Sequence, residues 1–570
     1  MSRPILISFC SLLLAACNTT PTQPDEVPKR SVYTMQSDGT VPTRQQNLQV
    51  KHADLHFKVF PQSKSISGTS TLTLVSDVPK TEISVDLDAL FTIESVALNG
   101  VNLAADAYRN PEGELIINLP QAQSGEFQIA VSYYGVPREA VRAPWDGGFV
   151  WSKTADGQDW IATAVQGEGC DLFWACIDRP QGEPQSLDMY ISVPANLTAA
   201  ANGVFKGSTD EGDYKVYHWH SDTPQNTYGV ALNIAPYALI TETHQSIYGN
   251  QIPVHYYHLP QNAEPAKALV EEMHSMLDFF ERVIGPYPFA ADKMGIAETP
   301  HLGMEHQSIN AYGNEYRKDP YGFDWLLQHE FAHEWFANQL TNKNADDMWL
   351  HEGFGAYMQP LYAEYLHGNM AYMAYLFKQR STISNQSPLV SHKPMAVEEV
   401  YSPETGPGGD IYVKGSLVLH SLRQLMGDEK FFRAVRELTY GTATPQPGNF
   451  APLLRSTDDF VQIVNQVMGK DLRWFFDVYV FNAPLPHLNQ QRDNSALTLA
   501  WQTQNDLPFP MPLEVSINGK VSTLSLPATL DVTPADVVII DPFSKVLKAE
   551  SRVDNYQTWM QAQQAKQQKP

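Results

Sequence analysis

The sequence lacks an apolar run long enough to cross a bilayer as a helix, which takes about 20 consecutive residues, and it lacks any internal repeat. Basic residues are scarce: 39 Lys and Arg stand against 63 Asp and Glu, a formal net charge of −24. Nucleic-acid binding is driven by Lys and Arg neutralising phosphates, so this balance argues against such a partner and fits a solvated acidic surface. Only four cysteines occur. What is present describes a folded protein of several cores: 570 residues, 43% apolar and 18% charged, are too many for one compact unit and suggest three or four domains.

Arg3 precedes a short apolar stretch from Ile5 to Ala16, which reads as an export signal over residues 1–16. It ends in Leu14-Ala15-Ala16-Cys17, similar to the lipobox of bacterial lipoproteins, in which the cysteine becomes a lipidated N-terminus. An ordinary secretory signal with a chance cysteine is the alternative. Asn18 follows rather than Asp, and by analogy with that class the expected address is the outer membrane, facing the periplasm, with the lipid as membrane anchor. Cys10 would leave with the signal, so Cys170 and Cys176 remain. Fully extended, the segment between them would hold them about 20 Å apart, so a bridge requires a turn. An oxidising compartment permits one, and two buried thiols are the other reading.

Residues 17–32 are polar and Pro/Thr-rich, as in a flexible tether. From residue 33 to about 250, short segments of period-two alternation, such as Leu55-His56-Phe57-Lys58-Val59, lie between Gly, Pro, Asn and Asp clusters and predict a β domain. The period changes near Ala263, where Leu269, Met273, Met276, Leu277 and Phe280 recur at helical spacing. Further helices are expected over 324–339, 353–366, 414–425 and 458–468, giving a mainly helical domain over 251–484. Alternation returns over 485–552 as a small β-sandwich, and 553–570 reads as a loose tail. The fold class is therefore multidomain α+β.

His329-Glu330-Phe331-Ala332-His333 lies in an apolar helical pattern, so both histidines share one face and can reach one metal. Neutral imidazoles suit Zn2+, whose catalytic sites take three protein ligands and keep a fourth position open. Glu352, which follows His333 after eighteen intervening residues, supplies the third ligand from a second helix. Glu330 then faces the open position as general base toward a zinc-activated water.

With Glu352 at that offset the sequence resembles the aminopeptidase N family, peptidase family M1, from about residue 45 to 485. The resemblance implies a saddle-like N-terminal β domain, a thermolysin-like catalytic domain, one zinc per chain, and peptides with a free N-terminus as substrates. Leu302-Gly303-Met304-Glu305-His306 stands where the family has G-x-M-E-N. This assigns Glu305 to the substrate ammonium and counts Gly303 and Met304 among the substrate-binding residues. Gln166 in Gln166-Gly167-Glu168-Gly169 corresponds to a second ammonium contact, with Glu168 as its competitor. Tyr412 in Tyr412-Val413-Lys414-Gly415 corresponds to the tyrosine that donates to the oxyanion.

The departures are Leu302 and His306 in the amine-binding motif, His301 expected at the edge of the first side-chain pocket, Gly406 to Gly409 before Tyr412, and His351 before the third ligand. No counterpart of the long C-terminal helical domain of larger members is expected, which implies a more open site. Two rival readings keep the scaffold: an epoxide hydrolase-like member and a non-catalytic peptide-binding surface lipoprotein.

Overall fold

The structure is a computed structural model that describes residues 33–34, 37–448 and 450–567. The export signal, Cys17 and the tether lie outside the described residues. Long antiparallel strands dominate the N-terminal part, with Gln49–Phe60, Ser65–Asp86 and Glu114–Gly135 adjacent in one large sheet. Leu187–Pro194 joins the other edge of Gln49–Phe60 in parallel. Alternation places Leu55, Phe57 and Val59 in the core while His56 and Lys58 face out. A smaller sheet of Gly148–Lys153, Asp159–Ala164, Asn233–Ala235 and Thr198–Ala200 contributes Phe149, Ile161 and Ile234 to the same apolar core.

Catalytic-domain structure begins earlier than residue 251. Ala238–Gln245 and Gln251–His258 form a hairpin, and the second strand runs parallel to Met294–Glu298. A boundary at 250 would cut that hairpin at its turn. Continued period-two alternation conceals the change of sheet, because pairing partners are not written in periodicity. The sheet continues through Asn310–Tyr312 to the two-residue edge strand Gly303–Met304.

Helices α1 (Ala263–Val283), α2 (Trp325–His333), α3 (Trp349–His367), α4 (Asn369–Arg380), α5 (Val397–Tyr401), α6 (Asp410–Met426), α7 (Asp428–Tyr440), α8 (Thr457–Met468) and α9 (Arg473–Tyr479) build the helical part, in which α1 and α2 pack on this sheet and α3 packs on α2, α4 and α6. α2 and α3 are buried nearly all round, unlike the amphipathic α7 and α8. Two three-stranded sheets follow, and Leu499, Leu513 and Val515 share one apolar core with the helical domain. The C-terminal module is thereby fused to the catalytic domain. The last stretch is not a loose tail: α10 spans Ser551–Gln567, and Gln557 donates to the Ile383 carbonyl at 3.0 Å. Its Gln, Lys, Ala and Met content favours helix, a propensity that polar composition masked. No helix among the described residues is long and apolar enough to cross a membrane.

Candidate active site

α2 begins at Asp324, whose carboxylate caps it by accepting from the backbone amides of Leu326 and Leu327 at 3.1 and 3.0 Å. The Tyr312 hydroxyl holds the same carboxylate at 2.6 Å, tying α2 to the sheet. One turn further, His329 and His333 place their Nε2 atoms 3.1 Å apart. Nδ1 of His333 donates to the Phe336 carbonyl at 2.9 Å, which leaves Nε2 free to act as a ligand. The expected helix over 324–339 ends as α-helix at His333 and continues as a distorted wide turn over Glu334–Gln339. That distortion supplies the Phe336 carbonyl.

α3 brings Glu352, whose Oε2 lies 3.4 Å from Nε2 of each histidine. Tetrahedral zinc, with bonds of about 2.0–2.1 Å, sets its ligand atoms about 3.3 Å apart. The three separations match that spacing, and all three side chains converge within 4.8 Å. Oε2 of Glu352 is buried with no hydrogen-bond partner, while Oε1 accepts from Tyr401 at 2.6 Å and Tyr412 at 2.9 Å. The donor set thus fits a divalent metal. Burial alone would raise Glu352, but the two histidine rings that face its carboxylate hold it well below the usual carboxylate range.

Close packing of α3 on α6 carries Tyr412 to Glu352. A Cβ on Gly415 would sit 2.8 Å from the Gly353 Cα, so two glycines allow the helices to touch there. Gly406 to Gly409 form the turn from α5 to α6, which places Tyr401 and Tyr412 side by side with ring centroids 6.3 Å apart.

Glu305 follows the edge strand and is 4% exposed. Gln166 donates to its Oε1 at 2.7 Å and Tyr228 at 2.8 Å. Glu168 is turned away and accepts from the Gly147 amide, so Gln166 is the residue that meets Glu305. Glu305, Glu330 and His333 have ligand-type atoms within 4.8 Å of one another, which sets the acid at Glu305 beside the metal position. Burial first, then the charge of Glu305, pushes the Glu330 carboxyl well above its ordinary value. Gly303 is required beside it, because a Cβ there would meet Oε1 of Glu330 at 2.6 Å.

These groups line one cavity of about 410 Å3 that also takes in Arg142 and Trp145 from the N-terminal domain. His301 is not at its edge. Its ring is buried outside the cavity, which takes Leu302 rather than His301 from this segment. Burial lowers His301 to about 4 and His306 to about 3, so both are neutral. Nε2 of His351 accepts from the Asn342 amide at 3.0 Å and packs beneath the site. Tyr228 and Tyr401 were not among the residues singled out by sequence. Neither lies in a motif, and with 26 tyrosines in the chain their residue type carries no signal.

Residues 49–228 match the Peptidase M1 N-terminal domain and residues 270–479 the Peptidase family M1 domain. The chain belongs to peptidase family M1. Among M1 relatives it is 21% identical over 588 residues to aminopeptidase 2, mitochondrial, of Saccharomyces cerevisiae, covering 97% of this chain and 55% of that protein. Endoplasmic reticulum aminopeptidase 1 of Rattus norvegicus is 22% identical over 306 residues, covering 50% of this chain and 32% of that protein. The chain therefore spans about half or less of these M1 relatives. The M1 fold is shared with an M1 zinc metallopeptidase of Deinococcus radiodurans solved as a mutant bound to a Tyr-Ser-Ala substrate. That structure has a TM-score of 0.65 and 23% identity, and covers 79% of this chain and 98% of its own.

Proposed function

We propose that this M1 protein is a zinc-dependent aminopeptidase that removes the N-terminal residue from peptides. The observation that carries the reading is the juxtaposition of two groups: Glu305, held by Gln166 and Tyr228, and the His329, His333 and Glu352 set within one residue's reach of it. An ammonium bound at Glu305 fixes the chain so that only the first peptide bond meets the metal position.

The chemistry that zinc supplies there, held by His329, His333 and Glu352, is Lewis acidity toward water and the scissile carbonyl. Glu330 accepts the proton of the attacking water on its carboxylate and delivers it to the departing amine. The Tyr412 hydroxyl donates to the oxygen on which charge develops. Tyr401 keeps its own hydrogen bond to Glu352 Oε1 while Tyr412 turns to the substrate. Gly303 and Met304 lie on the free edge of their strand and line the cavity, so their backbone can pair with an extended peptide.

The decisive experiment compares chelated protein, zinc-reconstituted protein and a zinc-loaded Glu330→Gln variant on aminoacyl chromogenic substrates. Activity should return with zinc, and the variant should lose at least about a hundredfold in kcat while keeping its metal. Near-normal turnover by the variant would remove Glu330 from the mechanism.

The same proposal places the enzyme on a lipid anchor at Cys17, exported and facing the periplasm from the outer membrane. Supporting it are the lipobox-like Leu14-Ala15-Ala16-Cys17 and the disulfide between Cys170 and Cys176, which suits an oxidising compartment. The bridge closes through the short turn over Cys170–Leu172. Cys17→Ala should abolish fatty-acid labelling and release the protein from the membrane fraction; labelling that persists in the variant would refute the anchor.

A further inference from the structure

Glu305 is gripped from two sides. Its side chain is held by Gln166 and Tyr228, which the N-terminal domain supplies. Its main chain is held by the catalytic domain, where Nδ2 of Asn338 donates to the Glu305 carbonyl at 3.0 Å. Asn338 stands on the distorted turn over Glu334–Gln339 that follows α2, and it is 1% exposed. A buried amide that reaches back 33 residues to one carbonyl is a specific tie between two segments.

The same turn pins the chain beyond the anchor. Oε1 of Glu334 accepts from the Ser308 amide at 3.0 Å and from the Asn310 side chain at 2.8 Å, and all three residues are buried. Ser308 has a φ of 61°, the left-handed region that a non-glycine residue keeps only where its surroundings hold it there. Nδ2 of Asn338 also lies 3.4 Å from Oε2 of Glu334, which joins the two ties into one network. From the middle of that turn the Phe336 carbonyl accepts from Nδ1 of His333 at 2.9 Å. One turn therefore bonds both to a metal ligand and to the backbone of the ammonium anchor.

We infer that Asn338 is a positioning residue that sets the distance between the Glu305 carboxylate and the metal position. It does not line the cavity, so it acts through the Glu305 main chain and not on the substrate. Gln166 and Tyr228 aim the carboxylate, while the turn fixes how far it stands from His329, His333 and Glu352. Such a distance matters because a displacement of about 1 Å in a bound reactant can cost about a hundredfold in rate. With the tie cut, an ammonium on Glu305 no longer carries the first peptide carbonyl to the metal position in register. The inference rests on the aminopeptidase reading and adds to it the residue that sets its ruler.

The test measures kcat/KM of zinc-loaded wild type, Asn338→Ala and Asn338→Ser on one aminoacyl chromogenic substrate with its amine free and with it acetylated. Alanine removes the donor; serine keeps a polar group on a side chain too short to span to the Glu305 carbonyl. In both variants the preference for the free amine should shrink by about tenfold or more, with zinc content intact. Damage to the fold at large would lower both substrates together and leave their ratio in place. The inference is overturned if the ratio stays at the wild-type value in a variant that holds its zinc, or if the loss is traced to lost zinc. Should Asn338→Ala fail to accumulate, Asn338→Ser decides alone. A wild type without preference for the free amine would instead refute the aminopeptidase reading, and this inference with it.

Discussion

The hydroxyl of Tyr228 donates to Oε1 of Glu305 at 2.8 Å, alongside the Gln166 amide at 2.7 Å. Two neutral donors thus hold one carboxylate that burial nonetheless pushes above its ordinary value. An arriving ammonium supplies the missing charge and strengthens every bond in the cluster. Tyr228→Phe should raise KM by about tenfold with kcat little changed, since the lost bond orients the anchor and touches no reacting atom. Steady-state kinetics on a free-amine substrate checks this; a fall in kcat at constant KM would place Tyr228 in the chemistry instead.

The two phenols on Glu352 Oε1 should separate by role. Tyr412→Phe should lower kcat by about a hundredfold or more with zinc content intact, the loss typical of one oxyanion donor. Tyr401→Phe should act on the metal, weakening zinc retention by about tenfold. Competition with a chromogenic chelator distinguishes them. Equal zinc loss in both variants would mean that Tyr412 supports the ligand rather than the reaction.

Lys293 gives the protein a pH dependence outside the active site. Its ammonium is buried, donates to the Ala201 carbonyl at 2.9 Å and also to the Gly203 carbonyl, and lies 4.7 Å from the Trp219 ring centroid. Burial lowers it to about 7, against the opposing charges of Asp292 and Glu334. The unfolded chain binds this proton up to about pH 10.4, so between about 7 and 10 unfolding must take up a proton and stability rises with pH. Denaturant unfolding across that window should show the rise in the wild type and lose most of it in Lys293→Met. An unchanged slope in the variant would assign the effect elsewhere.

The bridge between Cys170 and Cys176 spans a sequence separation of 6. Closing so short a loop is worth about 2 kcal/mol by chain entropy. Replacing both cysteines by serine should therefore lower the denaturation midpoint measurably under non-reducing conditions. An unaltered midpoint would show that the turn holds its shape without the bond.

The metal set and the class of the catalytic domain were legible because they obey local rules. His329 and His333 are four apart on one helix, and Glu352 follows after only eighteen intervening residues. Glu305 was legible only through the family motif, since nothing in the residue itself distinguishes it from other acids. Tyr228 and Tyr401 were illegible: each reaches its partner across 77 and 49 residues by packing that no period encodes. The hairpin at residues 238–258 was split at its turn for the same reason, as strand partners are chosen by tertiary contact. Burial of His301 reversed a position inferred by analogy.

The account's central claim is that Glu305 reads a free α-amino group beside the metal position. The most direct test is the ratio of kcat/KM for one aminoacyl chromogenic substrate with its amine free and with it acetylated, measured on the zinc-loaded protein. The account predicts a ratio of at least about 100 in favour of the free amine, the worth of a buried charge-assisted contact. A ratio near one would contradict it.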